Sequence, residues 1–169
     1  MIDNERGNVI LIRLKPENYI NSAFSILEKN MDWGNGIYIT ATRPYEGLAN
    51  FFSARGTDLN RLFFIDCISQ HLGISDPSIP SNVRYVQTPT MLEFVSLYAD
   101  DALRTRDPSF VILDSLSSLL IYNSEDAVRK FLHALANKMR QKGIKIYIIS
   151  MEDKHPASFF VFCDEIVDG

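Results

Sequence analysis

Apolar and polar residues along the chain form two kinds of pattern, and each kind predicts a different element. Short runs that are apolar throughout predict buried strands, whereas segments with an apolar residue every three or four positions predict helices. The predicted strands cover residues 8–14, 36–41, 61–68, 83–87, 109–114, 145–150 and 164–168. The predicted helices cover residues 17–31, 44–54, 88–104, 124–141 and 156–162. Because strands and helices alternate, we predict an α/β fold of three layers, with helices on both faces of a parallel sheet.

Residues at the ends of these segments support the division. Thr88, which precedes a proline, predicts a helix start with a capping hydroxyl, and Ser124 predicts another. Gly143 is expected to end the helix that Ser124 begins. The prolines and small polar residues of 73–82 predict a surface loop. No internal repeat or linker interrupts the pattern, so we predict that residues 1–169 form a single domain.

The composition restricts the possible partners. Hydrophobic residues make up 46% of the chain and charged residues 22%, and the formal net charge is −4. An acidic balance argues against a general affinity for DNA or RNA, since binding phosphates requires a basic surface. One small basic cluster leaves a nucleic-acid-binding patch open as an alternative. This cluster consists of Lys138, Arg140, Lys142 and Lys145.

Membrane and metal-binding classes are also disfavoured. No stretch reaches the roughly 18 apolar residues that a membrane helix needs, and the acidic N-terminus is unlike a signal peptide. Cys67 and Cys163 lie far apart, with no CxxC motif and no nearby histidine pair. This spacing argues against a disulfide framework or a zinc site. We therefore expect a cytoplasmic protein with no bound metal and no membrane partner.

Polar residues follow three predicted strands at the edge where open α/β sheets bind ligands. The candidates are Asp114, Ser115, Ser117 and Ser118 after one strand, Thr40, Thr42, Arg43 and Glu46 after another, and Glu152, Asp153, Lys154 and His155 after a third. A carboxylate beside hydroxyls can contact Mg²⁺ or a nucleotide. The same residue types also cap helices and bond local backbone N–H groups. We favour the capping interpretation for Asp114 and Ser115, and ordinary polar turns for the other two groups.

Three stretches resemble the RecA-like ATPase core in its KaiC-like branch, which is abundant in archaea. They are FVILDSLSSLLIY (110–122), GIYITATRPYEGLANFF (36–52) and the ending KGIKIYIISMEDK with CDEIVDG. The first looks like the Walker B strand with its serine-rich turn, and the second like the family's second strand and following helix. The resemblance covers nearly the whole chain. It implies a RecA-like P-loop NTPase core, and it implies that Asp114 and Ser115 stand where the family holds Mg²⁺ beside ATP.

The segment after the first strand departs from this family. The family has a glycine-rich loop with a lysine here, which cradles phosphates with backbone N–H groups. This chain has LKPENYINSAF (14–24), without any glycine. Lys15 comes one residue past the strand, and Pro16 removes a backbone donor. Glu17 places a negative charge where a phosphate would rest. We therefore predict a direct turn from strand to helix in place of a phosphate loop.

The residues that would activate water are also displaced. The family carries acidic residues just after its second strand, and this chain has Thr42 and Arg43 there. Glu46 follows one helical turn later. Phosphoryl transfer depends on positioning and on charge neutralisation, so losing both the cradle and the base argues against hydrolysis. We expect no catalytic residue and no cofactor.

The sequence thus leads to a preferred hypothesis and two alternatives. The preferred one is a catalytically inactive RecA/KaiC-like domain that acts as a regulatory or protein-interaction module, through self-association or a partner protein. The apolar run 159–162 would then either pack on the sheet or form a subunit contact. The first alternative is a divergent ATPase that uses ATP and Mg²⁺. The second is a recombination-associated DNA-binding protein, which the resemblance implies because relatives of RecA include recombination proteins. The candidate nucleotide or Mg²⁺ residues of the ATPase are Asp114, Ser115, Lys15, Thr42 and Glu46.

The backbone of residues 14–19 separates the preferred hypothesis from the ATPase. An arch of N–H groups facing a cavity beside Asp114 would support nucleotide binding. A tight turn that fills this space with Tyr19 or Lys15 would contradict it.

Overall fold

The computed structural model describes residues 9–74, 78–151 and 155–169, and the strands within this part form one parallel sheet. The strands are β1 (Val9–Arg13), β2 (Gly36–Thr40), β3 (Leu62–Asp66), β4 (Val83–Tyr85), β5 (Phe110–Asp114), β6 (Lys145–Ser150) and β7 (Glu165–Asp168). Their order across the sheet is β4-β3-β2-β5-β6-β1-β7. The predicted α/β class with a parallel sheet is confirmed.

Helices cover both faces of this sheet. They are α1 (Tyr19–Met31), α2 (Tyr45–Ser53), α3 (Leu92–Thr105), α4 (Leu116–Tyr122) and α5 (Glu125–Lys142). Side chains alternate between the faces along each strand, as the two-residue period of a strand requires. Ile37 and Ile39 of β2 pack with α3, α4 and α5, whereas Tyr38 packs with α1 and α2. Every residue of β2, β3 and β5 is buried, which explains why these runs are apolar up to their last residue.

The register of the central strands brings three polar residues to one edge. Thr40, the last residue of β2, pairs with Asp66 at the end of β3 on one side and with Asp114 at the end of β5 on the other. All three are fully buried. Parallel strands end at the same edge, so this edge is where a ligand site is expected in such a sheet.

Several predicted boundaries are confirmed. The Ser124 hydroxyl accepts a hydrogen bond from the Ala127 N–H at 3.2 Å and caps α5. Gly143 ends that helix in the left-handed conformation, with φ of 69°, which glycine adopts without a steric penalty. Gly36 allows close contact between strands, because a Cβ atom there would lie 2.2 Å from the Phe110 ring.

Other boundaries differ from the prediction. The α3 helix begins at Leu92 rather than at Thr88, because residues 88–91 form a turn in which the Met91 N–H donates to the Thr88 carbonyl at 3.1 Å. The β3 strand ends at Asp66 rather than at residue 68, because the chain bends around the Asp66 carboxylate. Within 156–162 only a short 3-10 turn forms, Ala157–Phe159.

The α4 helix was not predicted. Its seven residues continue the apolar run of β5, and a short apolar run does not distinguish helix from strand. The segment between β1 and α1 is also a helical turn, a 3-10 turn at Pro16–Asn18, where the sequence predicted helix from residue 17.

Candidate functional site

Asp114 is the centre of a buried polar cluster at the carboxyl edge of the sheet. Its side chain is fully buried. One carboxylate oxygen, Oδ2, accepts hydrogen bonds from the hydroxyls of Tyr38, at 2.6 Å, and of Tyr19. The other oxygen, Oδ1, has no hydrogen-bond partner among the described residues. The carboxylate is therefore held from one side only.

Local structure explains how the two tyrosines reach Asp114. Tyr38 lies on β2, next to β5, and its ring faces the layer of α1 and α2. Tyr19 is the first residue of α1, and the turn Pro16–Asn18 carries it over the end of the sheet. The Arg43 guanidinium lies 5.4 Å from the centre of the Tyr19 ring, at cation–π distance. The predicted tight turn filled by Tyr19 is thus present.

Burial determines the protonation of this cluster. Burial raises the pKa of Asp114 above its ordinary value, and the hydrogen bonds from the two tyrosines oppose this shift only in part. Burial, together with the negative charge of Asp114, also raises the pKa values of Tyr19 and Tyr38. Both phenols therefore stay protonated at neutral pH and act as donors.

A cluster of hydroxyls adjoins Asp114 and joins the turn after β2 to α4. Thr42 Oγ1 lies 2.8 Å from Ser118 Oγ and donates to Ser115 Oγ at 3.2 Å. Ser115 caps α4, because its hydroxyl accepts the Ser118 N–H at 3.1 Å. The peptide bond between Asp114 and Ser115 is cis. The capping role that the sequence suggested for Ser115 is therefore present. The same role was expected for Asp114 and is wrong, because its carboxylate bonds the Tyr19 and Tyr38 hydroxyls and no backbone N–H group among the described residues.

The five candidate residues do not all meet. Asp114, Ser115 and Thr42 lie together, but Lys15 and Glu46 are exposed. Within the described part of the chain, neither the Lys15 nor the Glu46 side chain forms a hydrogen bond or an ion pair. The position of Lys15 follows from the turn, since its carbonyl accepts the Asn18 N–H at 3.0 Å while its side chain faces solvent.

The turn after β2 is held by its own residues. Thr40 Oγ1 donates to the Arg43 carbonyl at 2.7 Å and accepts the Arg43 N–H at 3.2 Å. Thr40 is fully buried, so its hydroxyl is used within the turn. This geometry agrees with the interpretation of these residues as a polar turn.

Asp66 is a second buried aspartate at the same edge, and the sequence analysis did not single it out. Its Oδ1 accepts the N–H groups of Ile68 and Ser69, both at 2.9 Å. Its Oδ2 accepts the Tyr45 N–H at 2.7 Å and the Ser69 hydroxyl at 2.5 Å. The signal was an aspartate at the end of the apolar run RLFFID, the same signal that identified Asp114.

The edge beside β6 is described only in part. Ser117 Oγ accepts the Met151 N–H at 2.8 Å and lies 3.3 Å from His155 Nε2. Glu152, Asp153 and Lys154 lie outside the described residues. In the part of the chain that is described, no group of three or more His, Cys, Asp or Glu side chains could hold a metal ion. No helix in that part is both long enough and apolar enough to span a membrane.

Two residues of the basic cluster and most of the apolar run near the end of the chain are engaged within the fold. Lys138 forms an ion pair with Asp100, and Arg140 forms one with Asp164 at 3.1 Å. Phe159 and Phe162 are buried in the core, whereas Val161 between them is 85% exposed. The run 159–162 thus packs mainly on the sheet.

Comparison with known proteins supports the fold assignment. No protein-family model and no curated protein matches the chain. Among solved structures, the chain resembles a KaiC-like protein from the hyperthermophilic archaeon Pyrococcus horikoshii OT3, with a TM-score of 0.66 and 11% sequence identity. The match covers 96% of this chain and 72% of that protein. The KaiC-like, RecA-type fold expected from the resemblance is therefore confirmed, and at this identity the likeness concerns the fold alone.

Proposed function

We propose that this chain is a RecA/KaiC-like domain that does not hydrolyse ATP and that acts as a regulatory or protein-interaction module. The observation that carries the proposal is the hydrogen bond from the Tyr19 hydroxyl to the Asp114 carboxylate. Under the resemblance, Asp114 is the residue that would face Mg²⁺. A phenol from the start of α1 now contacts that carboxylate directly.

The state of Asp114 disfavours a Mg²⁺ site. Magnesium requires ionised or strongly polar oxygens in an open octahedral shell that retains several waters. The Asp114 carboxylate is fully buried, and its pKa is raised by burial. Two phenol hydroxyls also occupy Oδ2. These conditions favour a carboxylate that serves packing and hydrogen bonding within the protein.

The backbone between β1 and α1 also disfavours a phosphate site. An anion cradle needs several free backbone N–H groups that converge on one point. Pro16 has no N–H group, and the Asn18 N–H donates to the Lys15 carbonyl at 3.0 Å. Glu17 is exposed on the same turn and would repel a phosphate. This proposal therefore includes the prediction from the sequence that the phosphate loop is degenerate and no longer binds phosphate.

Two measurements test the proposal. They are calorimetric titration with ATP and with ADP, each with and without Mg²⁺, and an assay of phosphate release from ATP. We expect no binding heat and no phosphate release for the wild-type chain. Binding that depends on Mg²⁺ and is lost in Asp114→Ala would contradict it. Asp58→Ala is the matched control, because Asp58 is an aspartate that caps a surface 3-10 turn away from this edge.

One observation favours the divergent ATPase as a second candidate. Asp114 Oδ1 is without a hydrogen-bond partner among the described residues, and the hydroxyl of Thr42 is close enough to Asp114 to lower its pKa. A carboxylate oxygen with free lone pairs could accept a hydrogen bond from a metal-bound water. Under this candidate Glu46 would act as the base. The wild-type chain would then release phosphate, and Glu46→Gln and Asp114→Ala would each abolish this release. Under the first proposal none of the three chains releases phosphate.

A further inference from the structure

A groove of about 910 Å³ lies away from the Asp114 cluster, between α3 and α5 and beside β4. Residues that line it include Arg84 on β4, Leu97, Tyr98 and Arg104 on α3, and Lys138 and Lys142 on α5. In this groove β4 and α3, which follow one another in the chain, meet α5, which comes later. Neither the nucleotide resemblance nor the polar cluster at the sheet edge involves it.

The groove has a positive charge within an acidic chain. Four cationic side chains line it, and two carboxylates, those of Asp100 and Asp101, line it as well. Asp100 pairs with Lys138, and Asp101 pairs with Arg104 at 2.6 Å. Arg84 and Lys142 are exposed and form no ion pair within the described part of the chain. Two positive charges therefore remain available, although the whole chain has a formal net charge of −4.

Apolar surface lies beside these free charges. Leu97 is 56% exposed, although the other face of α3 is buried in the core. Tyr98 and Leu103 are half-buried in the same wall. Contact between water and an apolar side chain such as Leu97 is unfavourable, and a partner that removes this surface from water gains free energy. An apolar group of a partner is therefore favoured here.

We propose that this groove binds an acidic peptide segment of a partner protein. An apolar side chain of the segment covers Leu97 and Tyr98, and its carboxylates face Arg84 and Lys142. Charge complementarity selects this occupant, since the groove is positive and its free cations flank an apolar strip. The inference rests on the proposed function, because it assigns a surface and a class of partner to the interaction module.

A peptide fits this surface better than a nucleic acid does. A nucleic acid carries a negative phosphate at every nucleotide, and several of these would face the carboxylates of Asp100 and Asp101. Sites for single strands also provide aromatic side chains on which successive bases stack. Among the described residues lining the groove, Tyr98 alone is aromatic. A peptide can place its acidic residues opposite Arg84 and Lys142 alone.

Fluorescence anisotropy with the whole chain tests this proposal. The probe is a fluorescein-labelled peptide in which Leu residues recur every three or four positions and Glu residues stand between them. Two further peptides, with Gln in place of Glu and with Ser in place of Leu, separate the contributions of charge and apolar contact. We expect the first peptide to bind and each altered peptide to bind about tenfold more weakly, which is the scale of one lost contact at an interface.

Matched variants locate the binding. Lys142→Glu is compared with Lys29→Glu, because both lysines are exposed in the last turn of a helix. Leu97→Ser is compared with Leu72→Ser, because the two leucines are 56% and 55% exposed. We expect Lys142→Glu and Leu97→Ser each to weaken binding about tenfold. The two controls should leave the affinity unchanged.

Four outcomes would overturn the proposal. They are no binding of the Glu-Leu peptide to the wild-type chain, equal losses in the control variants, tighter binding of a labelled single-stranded DNA with a steep salt dependence, and self-association that Leu97→Ser abolishes. The last two would identify a nucleic-acid site and a second copy of the chain, respectively. Binding of Mg²⁺ and ATP at Asp114 would contradict the inactive site alone, and the peptide titration does not depend on it.

Discussion

Two buried aspartates flank Thr40 at the same edge of the sheet, and their surroundings differ. Asp66 accepts four hydrogen bonds, three of them from backbone N–H groups, and both of its oxygens are used. Asp114 accepts two hydrogen bonds from phenols on a single oxygen, and its other oxygen has no partner among the described residues. A carboxylate satisfied by backbone groups organises a turn. A carboxylate held only by side chains from other elements stands where the fold offers a ligand site.

The difference follows from how far along the chain each aspartate lies from its hydrogen-bond donors. Two of the residues that bond Asp66, Ile68 and Ser69, follow it by two and three positions, so the turn forms around its own carboxylate. Tyr38 and Tyr19 are 76 and 95 positions away from Asp114. Only the assembled sheet and the docked α1 helix bring these groups together. The following predictions, from the largest expected effect to the smallest, test whether the two aspartates have different roles.

Asp66→Ala should have the largest effect on stability. It leaves the N–H groups of Tyr45, Ile68 and Ser69 without their acceptor, and each buried unsatisfied donor costs about 1–3 kcal/mol. We expect the free energy of unfolding, measured with urea, to fall by about 3 kcal/mol or more. The control Asp58→Ala removes an exposed capping side chain and should cost about 1 kcal/mol. Equal costs in the two variants would mean that the backbone bonds of Asp66 carry no special weight.

Tyr19→Phe and Tyr38→Phe should each cost less than this. Each removes one hydrogen bond to a buried carboxylate, which contributes about 1.5–3 kcal/mol when the acceptor is charged and about 1 kcal/mol when it is protonated. Because both hydroxyls share Oδ2, the cost in the double variant should differ from the sum of the single costs. Tyr147→Phe is the control, since its hydroxyl bonds Asn30 Oδ1 at 3.0 Å in a half-buried position. Additive costs in urea denaturation would show that the two tyrosines act independently.

Asp114→Asn comes last in this order, because its effect at neutral pH should have the opposite sign. Burial raises the pKa of Asp114 in the folded state, so the folded chain binds this proton more tightly than the unfolded chain does. The wild type therefore loses stability as pH rises above the unfolded pKa of about 3.9, by about 1.4 kcal/mol for each pKa unit of the shift. Asparagine does not ionise. The advantage of the variant should be greatest at neutral pH and should vanish as pH falls below the unfolded pKa.

Urea denaturation of both chains across the acidic and neutral range measures this difference. Asp126→Asn provides a control of opposite sign, because a hydrogen bond from Lys130 and its charge lower the pKa of Asp126. That variant should be less stable than the wild type at neutral pH, with the deficit vanishing at low pH. A stability difference between Asp114→Asn and the wild type that is constant with pH would show that Asp114 titrates normally.

Much of the fold followed from local patterns. The apolar runs predicted the strands, and the side-chain cap at Ser124 and the left-handed Gly143 marked the ends of α5. The α4 helix was not found, since Leu116–Tyr122 is too short and too apolar for its period to be distinguished. Thr88 carried the signal of a helix start, but a turn delays α3 to Leu92. In these places the local signal was ambiguous, and packing on the sheet decided the outcome.

The candidate site was predicted less completely. Asp114, Ser115 and Thr42 were chosen because they follow strands that end at one edge, and they do lie together. Tyr38 was not identified, because a tyrosine inside an apolar strand carries no sign of its partner. Asp66 and Asp114 end similar runs, and nothing in those runs shows which carboxylate the backbone satisfies.

The sequence by itself determined the alternation of strands and helices, the missing glycines after β1 and the acidic balance of the chain. These depend on residue period, backbone freedom and charge, which act within a few positions. Only the tertiary structure decided that the Tyr19 hydroxyl bonds the Asp114 carboxylate and that β4, α3 and α5 form a positive groove. Such contacts join residues far apart in the chain, and the register of the sheet and the packing of helices on its faces determine which of them form.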